Sequence, residues 1–141
     1  MKYKSMFDII GPIMVGPSSS HTAGAARIGV EARILFGEQP DEVDISFYGS
    51  FAKTYKGHGT DVAIVGGLMG FPTDDSRIPK ALKLAKAIGM NVNFQKCEEE
   101  SEHPNMARLR LIKGSRQMEL VGISIGGGMM EITEIDGKRV S

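Results

Sequence analysis

The stretch Arg108-Leu109-Arg110-Leu111-Ile112-Lys113-Gly114-Ser115-Arg116-Gln117-Met118-Glu119-Leu120 decides the fold class. Leu109 and Leu111 alternate with Arg108 and Arg110, a period of two that places one face in a core and the other in water. Gly114-Ser115 is a turn. Apolar positions then resume at Met118, Leu120, Ile123 and Ile125, break at Gly126-Gly127-Gly128, and return at Met130, Ile132 and Ile135 before the turn signal Asp136-Gly137. The last third is therefore several strands. Upstream the period is helical: Ala25, Ile28, Ala32 and Leu35 share one face, Arg27, Glu31 and Glu38 point elsewhere, and Gly37 suits the C′ position. Val43, Ile45 and Phe47 alternate with Asp44, Ser46 and Tyr48, a half-buried strand. Thr60 is placed to cap a helix over Asp61–Met69, and Ser76 to cap another over Ile78–Ile88. Val92 and Phe94 suggest a short strand. Gly66-Gly67 is costly inside a helix, about 1 kcal/mol per glycine, and survives only where something packs closely against it. Helix, strand, two helices and several strands read as α+β, with an antiparallel or mixed sheet and its helices on one face.

At 141 residues the chain is sized for one domain with a real core. Seventeen basic residues balance seventeen acidic ones, which argues against electrostatic binding of nucleic acid or an anionic membrane. No apolar run approaches the roughly 18 residues of a membrane helix. Met1–Phe7 lacks the apolar stretch of a signal peptide. A cytoplasmic location is the expectation. The single cysteine, Cys97, excludes an internal disulfide and any all-cysteine metal site made by this chain alone.

Four segments can carry chemistry. In Gly16-Pro17-Ser18-Ser19-Ser20-His21-Thr22, hydroxyls and an imidazole sit where a loop becomes a helix, whose first amides have no internal acceptor and favour an anion. The plainer alternative is a capped helix with a serine run. Lys56-Gly57-His58-Gly59-Thr60-Asp61 dresses a second helix start, or is a loop with an exposed histidine. His103-Pro104-Asn105 enters the Arg108–Ile112 strand, or is a surface turn. Ser124-Ile125-Gly126-Gly127-Gly128 allows a close backbone approach, or is a hairpin turn. His21, His58 and His103 lie far apart and lack a zinc-binding signature, so no metal site is assigned to them.

Taken in order, these motifs, with Tyr48-Gly49-Ser50, closely resemble the beta subunit or beta domain of iron–sulfur-dependent L-serine dehydratases, from about residue 5 to about residue 135. The resemblance implies a fold similar to the substrate-binding domain of some phosphoglycerate dehydrogenases. It implies a lyase that converts L-serine to pyruvate and ammonia with a [4Fe-4S] cluster, carried in the split form by a separate alpha subunit. Many such beta subunits continue into an ACT domain; this sequence ends at Ser141, and residues 1–141 are read as the beta domain alone. One cysteine cannot hold a cluster that takes three or four thiolates. The expected partners are an alpha subunit bearing the cluster cysteines, L-serine, and a second copy of the chain. Within that frame His21 and His58 are the acid/base or orienting candidates, because imidazole titrates near neutrality. Ser18, Ser19, Ser20 and Thr22 suit the substrate carboxylate; Thr60 and Asp61 suit either His58 or the ammonium; His103 and Asn105 would line the same cleft. A non-catalytic module that binds serine or another small anion is the competing reading. A subunit that only covers the cluster is a third.

Overall fold

The computed structural model describes residues 2–3, 19–49, 51–52, 59–72, 75–97, 105–126 and 129–140. Among these, β1 is Lys2–Tyr3, α1 Ser19–Phe36, β2 Glu42–Gly49 and α2 Thr60–Leu68. A 3-10 turn at Ile78–Lys80 leads into α3, Ala81–Ala87. The remaining strands are β3 (Asn91–Lys96), β4 (Asn105–Lys113), β5 (Arg116–Gly126), β6 (Met129–Ile135) and β7 (Lys138–Arg139). They form one sheet in the order β1-β6-β5-β4-β2-β3, with β7 on β6. Only β2–β3 is parallel among the described pairs. A parallel pair needs a long crossover, which here carries α2 and α3. The sheet is therefore mixed, in an α+β chain.

The period-two reading holds. Val43, Ile45 and Phe47 on β2, Ala107, Leu109 and Leu111 on β4, and Leu120 on β5 are buried with Ala25, Ile28, Ala32, Ile64 and Leu68 from the helices in one core. The opposite face of the sheet is charged: Arg108 reaches Glu119 at 2.8 Å, and Arg110 reaches the same carboxylate at 3.6 Å. The turns fall where expected. Gly114 has φ +60°, and Asp136 and Gly137 have φ +52° and +82°, as a two-residue hairpin requires.

Three local expectations are corrected. Thr60 is not a cap; it is the first residue of α2, and the N-cap is Gly59 at φ +80° without a side-chain bond. The glycine turns the chain through a left-handed conformation, so no hydroxyl is spent on the cap. Ser76 does not cap the third helix either. Asp75 accepts the Arg77 amide at 2.8 Å and the Arg77 guanidinium at 3.0 and 2.7 Å, which holds its carboxyl down to about 2. The expected single helix divides because Pro79, which has no N–H to give, sits in the 3-10 turn. Arg27, which points away from the Ala25–Ile28 face, is nonetheless only 5% exposed. Burial beside it raises the Glu31 carboxyl, an effect that the Arg27 charge opposes.

The glycines explain how the helices pack. A Cβ on Gly67 would stand 2.2 Å from the Ala26 carbonyl oxygen, and one on Gly29 would stand 2.2 Å from the Ile64 carbonyl oxygen. α1 and α2 thus touch backbone to backbone, the close packing that Gly66-Gly67 required. Contacts then run Gly67 to Val30, and Arg33 donates to the Leu68 carbonyl at 3.3 Å. Past this crossing Arg33 of α1 also lies 3.7 Å from a Cβ on Gly70, so the C-terminal ends of both helices lie on the same side of it and the two run parallel.

Gly67→Ala therefore gains up to about 1 kcal/mol of helix propensity but forces apart two backbones that have no room to yield. A net loss of about 1–3 kcal/mol and a melting temperature lower by several degrees are expected. At Gly66 the nearest atom is the flexible Ile78 Cγ1 at 3.2 Å, so Gly66→Ala costs less. Thermal unfolding of the two variants checks this; equal losses would contradict the crossing.

Candidate functional site

The direction of α1 is fixed at both ends. At its C-terminus Arg116, the first residue of β5, donates to the Phe36 carbonyl, lies 4.2 Å over the Phe36 ring and pairs with Glu38 at 2.6 Å. Towards its N-terminus, a Cβ on Gly122 would meet Ile28 at 2.9 Å, and one on Gly24 would meet the Ser124 hydroxyl at 2.3 Å. As α1 runs from residue 24 to 36, its neighbours on β5 run from 124 back to 116. α1 is antiparallel to β5, and its N-terminus lies at the Ser124 end. α2 runs parallel to α1, so Thr60 comes to that end as well.

The strands deliver two more segments there. β4 pairs with β2 through Gly49–Asn105 and with β5 through Met106–Ile123. Asn105, the first residue of β4, and Ser124, near the end of β5, each adjoin the Met106–Ile123 pair, at the same end of β4–β5. Asn105 continues the inward alternation of Ala107, Leu109 and Leu111. β5 is irregular between Ser124 and Gly126, a bulge of the kind that re-aims a strand end. One end of the sheet, on its helix-covered face, therefore gathers the N-termini of α1 and α2, the start of β4 and the end of β5.

α1 begins at Ser19, two residues before the His21 start that the periodicity suggests, so Ser19 and Ser20 are helical and not loop; the side chains of Ser19, Ser20 and His21, like Ser18, His58 and His103, lie outside the described residues. Thr22 is buried at 5% exposure in the first turn. Asp61 is half-buried, and its Oδ1 accepts the Val62 amide at 2.8 Å, so its charge sits at the positive end of α2. Thr60 is fully buried, and its Oγ1 has no hydrogen-bond partner. The Oδ1 of Asn105 is likewise buried and unpartnered. These are the only two such side-chain atoms among the described residues. A buried polar atom left unpaired costs about 1–3 kcal/mol. Both lie at the end where the two helix N-termini meet, and this end is the candidate site.

Ser124 joins this group at 7% exposure. The glycines of its motif point to a close approach or a hairpin, and no role is assigned to the serine itself from sequence. The usable signal was its place one residue before an irregular strand end, facing the Gly24 that follows the serine-rich helix start. The cavities recorded among the described residues lie elsewhere. One of about 360 Å³ sits on the charged outer face between Asp44, Asn93, Arg108 and Glu119; another of about 270 Å³ sits between α3 and β3 at Leu82, Met90 and Phe94. Tyr48, next to Gly49, also faces outward. Burial pushes its hydroxyl above the ordinary 10, a shift that Arg108 opposes and Cys97 reinforces.

Residues 5–134 match the family model described as serine dehydratase beta chain. A probable L-serine dehydratase beta chain of Bacillus subtilis is 58% identical over 97% of this chain and 62% of its own length. The L-serine dehydratase beta chain of Peptoniphilus asaccharolyticus is 45% identical over 94% of this chain and 61% of its own length. An L-serine dehydratase of Escherichia coli is 33% identical over 97% of this chain but only 35% of its own length. The chain spans about three fifths of the first two relatives and about a third of the last. With a family match over residues 5–134, nearly its whole length, the chain belongs to the serine dehydratase beta chain family.

Proposed function

We propose that this chain is the beta component of a lyase that converts L-serine to pyruvate and ammonia, and that it supplies one side of an active site completed by an alpha subunit. The supporting observation is the convergence of two helix N-termini with the buried, unpartnered Thr60 Oγ1 and Asn105 Oδ1. The [4Fe-4S] cluster of such an enzyme does not fit this chain: it has one cysteine, and among the described residues no group of three or more His, Cys, Asp and Glu could hold a metal. We therefore assign the cluster to a separate alpha subunit, and this chain's role is binding, orientation and proton transfer.

In this reading the first-turn amides of α1, with Ser18, Ser19, Ser20 and Thr22, hold the substrate carboxylate, the anion that a helix N-terminus favours. His21 and His58 are the acid/base or orienting groups for the weakly acidic Cα proton, because imidazole can carry a proton near neutral pH. His58 directly precedes Gly59 and Thr60, the start of α2. Asp61 in the first turn of α2 and Thr60 orient His58 or the substrate ammonium. His103 and Asn105 line the same cleft. Residues 1–141 act as the beta domain, in the cytoplasm. No helix among the described residues is long and apolar enough to cross a membrane.

The test is anaerobic expression of the chain with and without a cluster-bearing alpha subunit, followed by a pyruvate assay with L-serine. Turnover should need both. His58→Ala should lower kcat by about 10²–10⁴-fold, the usual worth of a positioned acid or base, while the melting temperature stays put. Pyruvate from this chain alone, or full activity in His58→Ala, would contradict the proposal. Binding of L-serine by the lone chain, with no effect of His58→Ala on turnover, would favour a regulatory module.

A further inference from the structure

We infer that the outer edge of β3 is a docking site for an extended acidic segment of the cluster-bearing subunit, which adds to the sheet there as one more strand. This rests on the reading of the chain as the beta component of a two-subunit lyase. β3 ends the strand order, and no strand among the described residues lies on its outer side. The amides of Asn91 and Cys97 donate to the carbonyls of Asp41 and Phe47, each at 2.9 Å, so the odd-numbered residues spend their backbone groups on β2. Along a strand the backbone groups of successive residues face opposite neighbours. Val92 and Lys96 therefore turn their N–H and C=O groups to the outer edge. Such an edge is a template on which another strand can be laid.

Beside that edge runs the groove of about 270 Å³ between α3 and β3, lined by Leu82, Met90, Val92 and Phe94. Leu82 is still 38% exposed there. An added strand can set every second side chain against this apolar surface. Charge selects the occupant. Lys80, Lys83, Lys86 and Lys96 are all exposed, and none makes an ion pair among the described residues. From Lys80 to Lys96 the sequence holds no aspartate or glutamate, a local excess of positive charge in a chain that is balanced as a whole. A second copy paired across the same edge by a two-fold axis would bring both sets of lysines together, like charge against like. Lysine is the ordinary guard against such self-pairing, and it leaves an acidic strand as the segment that fits. The register points to the source. Lys96 lies beside Phe47, and Gly49, two residues on, pairs with Asn105. β3 therefore runs toward the end of the sheet that carries the candidate site, where the alpha subunit of the proposed enzyme approaches.

Hydrogen exchange read residue by residue, on the chain alone and on the chain assembled with its cluster-bearing subunit, tests this. The Val92 and Lys96 amides should slow by about tenfold or more on assembly, with or without L-serine, because a new strand gives them acceptors. The Asn93 and Gln95 amides, already facing β2, should change less. Lys83→Glu combined with Lys86→Glu should leave the melting temperature of the free chain within a few degrees, since both side chains are exposed. The same pair should weaken assembly by about tenfold at low salt, and less at high salt. An assembled wild type whose Val92 and Lys96 amides exchange as they do in the free chain would overturn the docking site, as would unchanged assembly of the double variant. Protection of these amides in the lone chain that grows with its concentration, with a doubled mass in solution, would make a second copy the occupant and overturn it too. A wild-type chain that does not assemble with a cluster-bearing subunit at all would instead sink the two-subunit reading, and this docking site with it.

Discussion

The site depends on a contact between two backbones. Gly29 and Gly67 let α1 and α2 approach until a methyl group on either would collide with a carbonyl of the other. Because the helices cross there in parallel, their N-termini arrive together. Had either glycine been alanine, the starts of the helices would be spread by the width of a side chain. The cost is two poor helix-forming positions in α2, at Gly66 and Gly67, and the buried contacts of Ala26, Ile64 and Leu68 offset it.

The sheet provides the second half of the frame. Arg116 ties the end of α1 to the start of β5, and Gly122 and Ser124 receive Ile28 and Gly24 further along. α1 is thus pinned along its length, and its N-terminus cannot drift from the strand ends that carry Asn105 and Ser124. A rigid frame is what a site needs if it is to hold polar atoms unpaired. Two buried oxygens without partners are a local defect in an otherwise consistent fold, and such defects gather where function requires them.

Much of this was legible in the sequence. The alternation at Leu109 and Leu111 gave the strand, and the Ala25–Ile28–Ala32 spacing gave the helix, because burial on one face imposes those periods. Gly66-Gly67 announced a close approach, though not the identity of its partner, since Gly29 carries no local sign that it faces another helix. Thr60 reads as a cap because a threonine before a helical run is a common one, and the left-handed Gly59 that takes the position leaves no periodic trace. The spacing places Arg27 off the Ala25–Ile28 face but does not show its burial, which comes from the tertiary contacts of α1. For the site, residue types were readable and convergence was not. Thr60, Asn105 and Ser124 are far apart in the chain, and only the parallel helices and the β2–β4–β5 register bring them together.

In the proposed function, a chain with one thiol and an incomplete polar site presents hydrogen-bonding groups to a substrate that another subunit also holds. Hydrogen exchange of the assembled enzyme, with and without L-serine, tests that most directly. Slowed amides should appear together at the starts of α1 and α2, at the head of β4 and at the end of β5, around residues 19–24, 59–62, 105–107 and 122–126. Protection on the charged outer face instead, or at one of these segments without the others, would contradict the account.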